Sequence, residues 1–180
     1  MKQLALSPEE KLRFFGGLAL FKDLLDKPYE TRPGAKGPIK VTVGDALGEH
    51  AEFWEVPAET TVFQEGNFGE HLFFVLRGRA GMSTSFSVDV DRTVALAVDD
   101  LPEGSFFGEH SALSMNAHLA SVVTKTPALL LLIPQFIVQE LVSTTESFRT
   151  GIMERYVLRV IRTLVRRVPV LRSASEREFE

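Results

Sequence analysis

The chain has 180 residues, 44% of them hydrophobic and 24% charged, with a formal net charge of -4. This balance describes a globular chain long enough to bury a core, and it excludes intrinsic disorder of the whole. The absence of cysteine excludes disulfides, thiolate metal sites, iron–sulfur clusters and cysteine nucleophiles. The longest apolar run, Ala128 to Ile133, is far shorter than the roughly 20 residues of a membrane span. No charged-then-apolar leader with a small-residue cleavage site is expected. A cytoplasmic protein with no membrane partner follows as the expectation. Aromatic content is skewed to 14 Phe against 2 Tyr and 1 Trp. Phe has no polar handle, so most of it belongs in the core.

Residues 7–25 read as a helix. Ser7 caps it, Pro8 suits its first position, and Glu10 stands three residues after the cap. Leu12, Phe15, Leu18 and Leu25 fall near one face, and Gly16-Gly17 weaken or bend the middle. Pro28, Pro33, Gly34, Gly37 and Pro38 then mark a loop. From Ile39 the period changes to two, with Ile39, Val41 and Val43 alternating with Lys40 and Thr42. Strands are predicted near 51–56, 60–64, 71–76, 79–88, 92–98, 119–125 and 128–134, the rhythm of a sandwich or barrel. After Pro134 a short helix is predicted over 135–142 and a long one over 144–168, ended by Pro169. Met153, Val157, Val160 with Ile161, Leu164 and Val168 recur at three and four. Arg155, Arg159, Arg162 and Arg166 take another face. The tail Ser173–Glu180 is polar and expected to fray. The division expected is an N-terminal helix and loop over 1–38, a β-domain over 39–134, and C-terminal helices with a tail over 135–180.

Enzyme chemistry finds little support. The histidines are His50, His71, His110 and His118, with no His-x-His pair of the kind a cupin metal site uses. Neither a Gly-x-Ser-x-Gly elbow nor a P-loop occurs. One segment stands apart: Leu101-Pro102-Glu103-Gly104, then Phe106-Phe107-Gly108-Glu109-His110-Ser111-Ala112-Leu113. A strand ends, a glycine frees the backbone, and a short helix opens on a carboxylate. The residues alone admit two readings: an anion site with Glu109 accepting from a diol, or a plain turn whose Glu109 suits the helix dipole.

Leu101-x-x-Gly104-x-x-Phe107-Gly108-Glu109 resembles the phosphate-binding cassette of the cyclic-nucleotide-binding domain family. The earlier segment Val62–Gly78 is similar to that family's strand–glycine–hairpin, in the same order and at a similar separation. The resemblance covers about residues 53–138. It implies a mainly β fold with flanking helices: an eight-stranded jelly-roll β-barrel, an N-terminal helix and a long C-terminal helix. It also implies a ligand set. Phe107 and Gly108 bring the backbone to the ligand, and Glu109 holds a ribose hydroxyl. His110 and Ser111 offer backbone N–H groups to a cyclic phosphate. The cassette's end, Ala117-His118-Leu119-Ala120-Ser121, places His118, Leu119 and Ser121 at the site. The family's phosphate-pairing Arg is here His118. Leu119 is bulkier than the small residue usual there, and Ala58-Glu59 replaces a glycine-containing turn.

The resemblance thus implies a non-catalytic regulatory module. Losing a charged fork at phosphate costs roughly 2–5 kcal/mol, or two to four decades of affinity. The expectation is weak or absent binding of cAMP or cGMP, with action through a protein partner. Any affinity is expected to rise as pH falls towards 6, because only protonated His118 adds charge. A true sensor of a cyclic nucleotide or related phosphorylated ligand is the alternative, and a cupin-like enzyme a more distant one. No other cofactor and no metal are expected. The chain ends about a dozen residues after the long helix, which argues against a helix-turn-helix, and the acidic balance argues against nucleic acid. A homodimer through the C-terminal helix is expected from its apolar stripe.

Overall fold

The computed structural model describes residues 1–30, 40–89 and 92–168. Helix α1 (Pro8–Phe15) starts where its cap predicts. Ser7 Oγ accepts from the Glu10 N–H at 3.3 Å, and the Glu10 carboxylate accepts from the Ser7 N–H at 2.8 Å. The helix expected over 7–25 stops at Phe15, and Ala19–Phe21 form a separate 3-10 turn. Each glycine costs about 1 kcal/mol against alanine in a helix, so Gly16-Gly17 end it rather than bend it.

Strand β1 (Lys2–Gln3) lies on β4 (Glu52–Val56), and β2 (Pro28–Glu30) pairs with β3 (Lys40–Thr42). Helix α2 (Val43–His50) follows directly, a helix that the alternation of Ile39, Val41 and Val43 conceals. Its signal is Thr42-x-x-Asp45: Thr42 Oγ1 accepts from the Asp45 N–H at 3.1 Å, and Asp45 accepts from the Thr42 N–H at 2.8 Å. Glu59, in the turn where the family resemblance leads one to expect glycine, adopts φ +53°.

The remaining strands are β5 (Thr61–Phe63), β6 (His71–Arg77), β7 (Ala80–Asp89), β8 (Arg92–Leu101), β9 (Phe106–Phe107), β10 (Ser121–Thr124) and β11 (Ala128–Pro134). They form two antiparallel sheets, one in the order β1-β4-β11-β6-β9 and one in the order β5-β10-β7-β8. The mainly β architecture with flanking helices is as expected, and two facing antiparallel sheets are consistent with a jelly roll, while the strand count differs from the expected eight. The described residues carry eleven strands in two larger sheets and a hairpin. Strands of two or three residues, such as β1, β2 and β9, are too short for alternation to reveal.

The five-stranded sheet is buried on both faces. Leu72 and Phe74 of β6, Leu131 and Ile133 of β11, and Phe53 point to the helices. Phe73, Val75, Leu130 and Val56 point to the second sheet and meet Met82, Val98, Leu101 and Val122. Burial on both faces is why β6 and β11 read as nearly unbroken apolar runs. The Phe excess fills both layers: Phe15, Phe21, Phe53, Phe74, Phe107 and Phe148 are fully buried. Helix α4 (Gln135–Thr144) leads into α5 (Glu146–Arg167), which docks through Phe148 and Ile152. No described helix is long and apolar enough to cross a membrane. Most of the expected loop over 26–38, together with Ile39, Pro169 and the tail Ser173–Glu180, lies outside the described residues.

Candidate functional site

Strand β9 pairs with β6, setting Phe107 opposite Phe73 with parallel rings 5.0 Å apart. The chain then turns at Gly108, φ +83°, into α3 (Glu109–Ser114). A Cβ at Gly108 would lie 2.8 Å from the His71 carbonyl oxygen and 3.0 Å from the Phe73 ring. Both the dihedral and the space demand glycine. This turn fixes the direction of Glu109, whose side chain is buried, 3% exposed.

The Glu109 carboxylate is met by an arginine from the far end of the chain. Arg159 of α5, 7% exposed, donates from Nη1 to Glu109 Oε2 at 3.2 Å and from Nε to Asp99 Oδ2 at 2.9 Å. Nη1 also donates to the Phe106 carbonyl, and the guanidinium lies 5.5 Å above the Phe106 ring. Arg162 approaches Asp99 from the same helix at 3.7 Å.

His118 sits across the site and does not project as a phosphate-binding cation would. Its ring stacks on Phe63 at 3.6 Å with 8° between the planes, and Nδ1 shares a 2.7 Å hydrogen bond with Ser111 Oγ. Its Nε2 presses on Gly69, where any Cβ would overlap it. Burial, aided by nearby His110, pushes its pKa down to about 4. The ring is therefore neutral at pH 6, which removes the basis for an affinity that rises towards that pH. His110 stacks on Tyr156 of α5 at 5.9 Å. Burial lowers its pKa, with Glu109 pulling the other way.

The sign of the His118 effect on stability follows by linkage. The unfolded chain takes up a proton on this ring below its ordinary value near 6.5, while the folded chain resists until about 4. Its contribution is fully present above pH 6.5 and is lost progressively as pH falls from 6.5 to 4. Thermal unfolding should show the stability gap between wild type and His118→Gln narrowing from pH 7.5 to pH 4.5. A gap of constant size would assign the titration elsewhere.

Of the residues singled out in the sequence, Gly108, Glu109, His110, His118 and Leu119 line one cavity. Phe107 is core, beneath Phe63 and Phe73. Ser111 is fully buried behind His118. Ser121 accepts from the Glu65 N–H at 2.9 Å and holds the β5–β6 loop. Sequence reasoning missed Phe63, Asp99 and the inward face of α5, where Arg159, Val160 and Thr163 complete the lining. A signal existed: Phe148, Ile152, Arg159 and Thr163 share one helical face, so an arginine was in line with core positions. What remains between these walls is a cavity of about 30 Å³. That volume holds a water molecule or two, against roughly 300–1,000 Å³ for small-molecule sites.

Residues 53–145 match the family model for the cyclic nucleotide-binding domain. No curated protein matches the sequence. Among solved structures, the chain is similar to the regulatory subunit of a cAMP-independent protein kinase A from Trypanosoma brucei, at 16% identity and TM-score 0.59. That match covers 82% of this chain and 46% of the other. It is similar to the sensor domain of the transcriptional regulator DNR from Pseudomonas aeruginosa, at 10% identity and TM-score 0.58, covering 85% and 90%. The regulatory domain of Toxoplasma gondii PKA, solved with cAMP, matches at 19% identity and TM-score 0.51, covering 72% and 42%. The chain spans less than half the length of both kinase-derived chains.

Proposed function

The chain belongs to the cyclic nucleotide-binding domain family, and from that premise we propose that it is a non-catalytic regulatory module whose ligand pocket is closed. In this reading it binds cAMP or cGMP weakly or not at all and acts through a protein partner. The observation that carries it is the cavity of about 30 Å³ left between Glu109 and His118 once α5 is seated. A cyclic nucleotide cannot enter without moving Arg159, Val160 and Thr163. His118 supports the same reading, because it is neutral and engaged with Ser111 and Phe63. Isothermal calorimetry with cAMP and with cGMP tests it. The expected result is no saturation below about 100 μM, in line with a loss of two to four decades. Saturable binding at micromolar concentration would overturn it.

A second reading, a true sensor of a cyclic nucleotide or related phosphorylated ligand, is favoured by Gly108 and Glu109. They hold the left-handed turn and helix start on which the family's ligand contacts are built. It requires α5 to leave the pocket on binding.

The partner includes a second copy of this chain. Val157, Ile161 and Leu164 of α5 follow at spacings of four and three, the register of a coiled-coil seam. All three are exposed, from 46% to 50%, on the face of α5 turned away from the sheets. Val160, counted with this stripe in the sequence, instead lines the cavity. Light scattering at about 100 μM should give a dimer mass for wild type and a monomer mass for Ile161→Glu with Leu164→Glu. A monomeric wild type would remove this claim.

A further inference from the structure

Arg159 is placed unlike the arginines around it. Arg149, Arg155 and Arg162 of α5 are exposed, whereas Arg159 is 7% exposed and makes the contacts of a bound guanidinium. Its fork is taken by the carboxylate of Asp99 on β8, the carboxylate of Glu109 on α3 and the carbonyl of Phe106 on β9, with the Phe106 ring beneath it. Three separate elements of the β-domain thus converge on one side chain of the C-terminal helix. A guanidinium leaves water at a high cost unless its donors are met, and here Asp99, Glu109 and the Phe106 carbonyl meet them.

We propose that Arg159 is the residue that sets what this pocket rejects: a guanidinium tethered to α5 takes Oε2 of Glu109 and latches the helix into the cavity. The inference rests on the closed-pocket reading and names its cause. A free ligand offering hydroxyl donors to Glu109 competes with a donor already attached to the chain, at an effective concentration of order millimolar or more. Its competitor is charged and therefore bonds the carboxylate more strongly than a neutral hydroxyl does. The block is accordingly separate from the loss of the cassette arginine at His118. Restoring that arginine alone does not reopen the site.

Arg159→Met tests this in the full chain, because it keeps the apolar stem against Phe106 and removes the fork. Hydrogen exchange of the α5 amides over residues 155–166 should accelerate at least tenfold relative to wild type, while amides near Phe148 and Ile152 change little. With cAMP as the probe, Arg159→Met combined with His118→Arg should bind at least tenfold more tightly than His118→Arg alone. Unchanged exchange over 155–166 overturns the latch. Equal or weaker cAMP affinity in the double variant overturns the competition, since Arg159 would then position Glu109 for a ligand. If Arg159→Met does not fold, Arg159→Lys retains the charge without the fork and should show the same changes at smaller size. Micromolar binding of cAMP by the unaltered chain would overturn the closed-pocket reading, and exchange over 155–166 would then decide the latch by itself.

Discussion

Phe21→Ala lowers the free energy of unfolding by about 3–5 kcal/mol, the cost of a large cavity in a packed core. Phe21 is 1% exposed and touches three aromatic rings from three elements. Phe15 of α1 meets it edge-on at 5.0 Å, Phe74 of β6 lies at 5.5 Å, and Phe148 of α5 at 5.4 Å. It is therefore the point at which the N-terminal segment, the five-stranded sheet and the C-terminal helix share one packing site. Relaxation into the void is poor when each wall belongs to a different element. At roughly 2–4 °C per kcal/mol for a chain of this size, the melting temperature falls by about 6–20 °C. Phe68→Ala is the control. Phe68 is 79% exposed, and its loss should stay within about 0.5 kcal/mol. Urea unfolding of the two variants side by side checks the claim, and equal losses would mean that the helical layer does not pack as described.

The second large effect concerns the buried ion pair. Arg159→Ala is expected to cost about 3–5 kcal/mol, because it strands the Glu109 carboxylate in a site from which water is largely excluded. Glu109→Ala should cost less, about 1–3 kcal/mol, because Arg159 keeps Asp99 at 2.9 Å and the Phe106 carbonyl. The double variant should cost less than the sum, the difference being the coupling between the two groups. The Arg159→Ala loss is bounded above by the free energy that docks this half of α5, since a released helix rehydrates Glu109. Chemical denaturation of the four proteins in this cycle gives all three numbers. Additive losses would show that the two side chains do not meet in solution.

The two effects differ in how far the residues themselves announced them. The Leu101–Glu109 segment was legible because its demands are local. Gly104 and Gly108 both take φ near +84°, and a glycine at such a turn followed by a carboxylate at a helix start can be read without any distant partner. The β6 and β11 runs were legible for a related reason: burial on both faces leaves no room for polar residues. Capping made α1 readable at its start, while the paired glycines ended it earlier than its apolar spacing suggested. Helix α2 is concealed because the alternation of Ile39, Val41 and Val43 reads as a strand, and its capping signal, Thr42-x-x-Asp45, lies within that alternation.

The state of the pocket was not legible in this way. The family resemblance implies a weakened phosphate contact at His118, and it says nothing of Phe63, Ser111 or Gly69, which surround the ring and keep it neutral. Arg159 read as one of a row of arginines on a solvated face. The sequence by itself determined the turn at Gly108 and the carboxylate at Glu109, because each depends on neighbours a few residues away. Only the tertiary structure decided that Asp99, Phe106, Glu109 and Arg159 meet, from as far as 60 residues apart in the chain. That meeting depends on how α5 lies across two strands and a short helix, and a helix's own periodicity says which residues share a face but not which face turns inward.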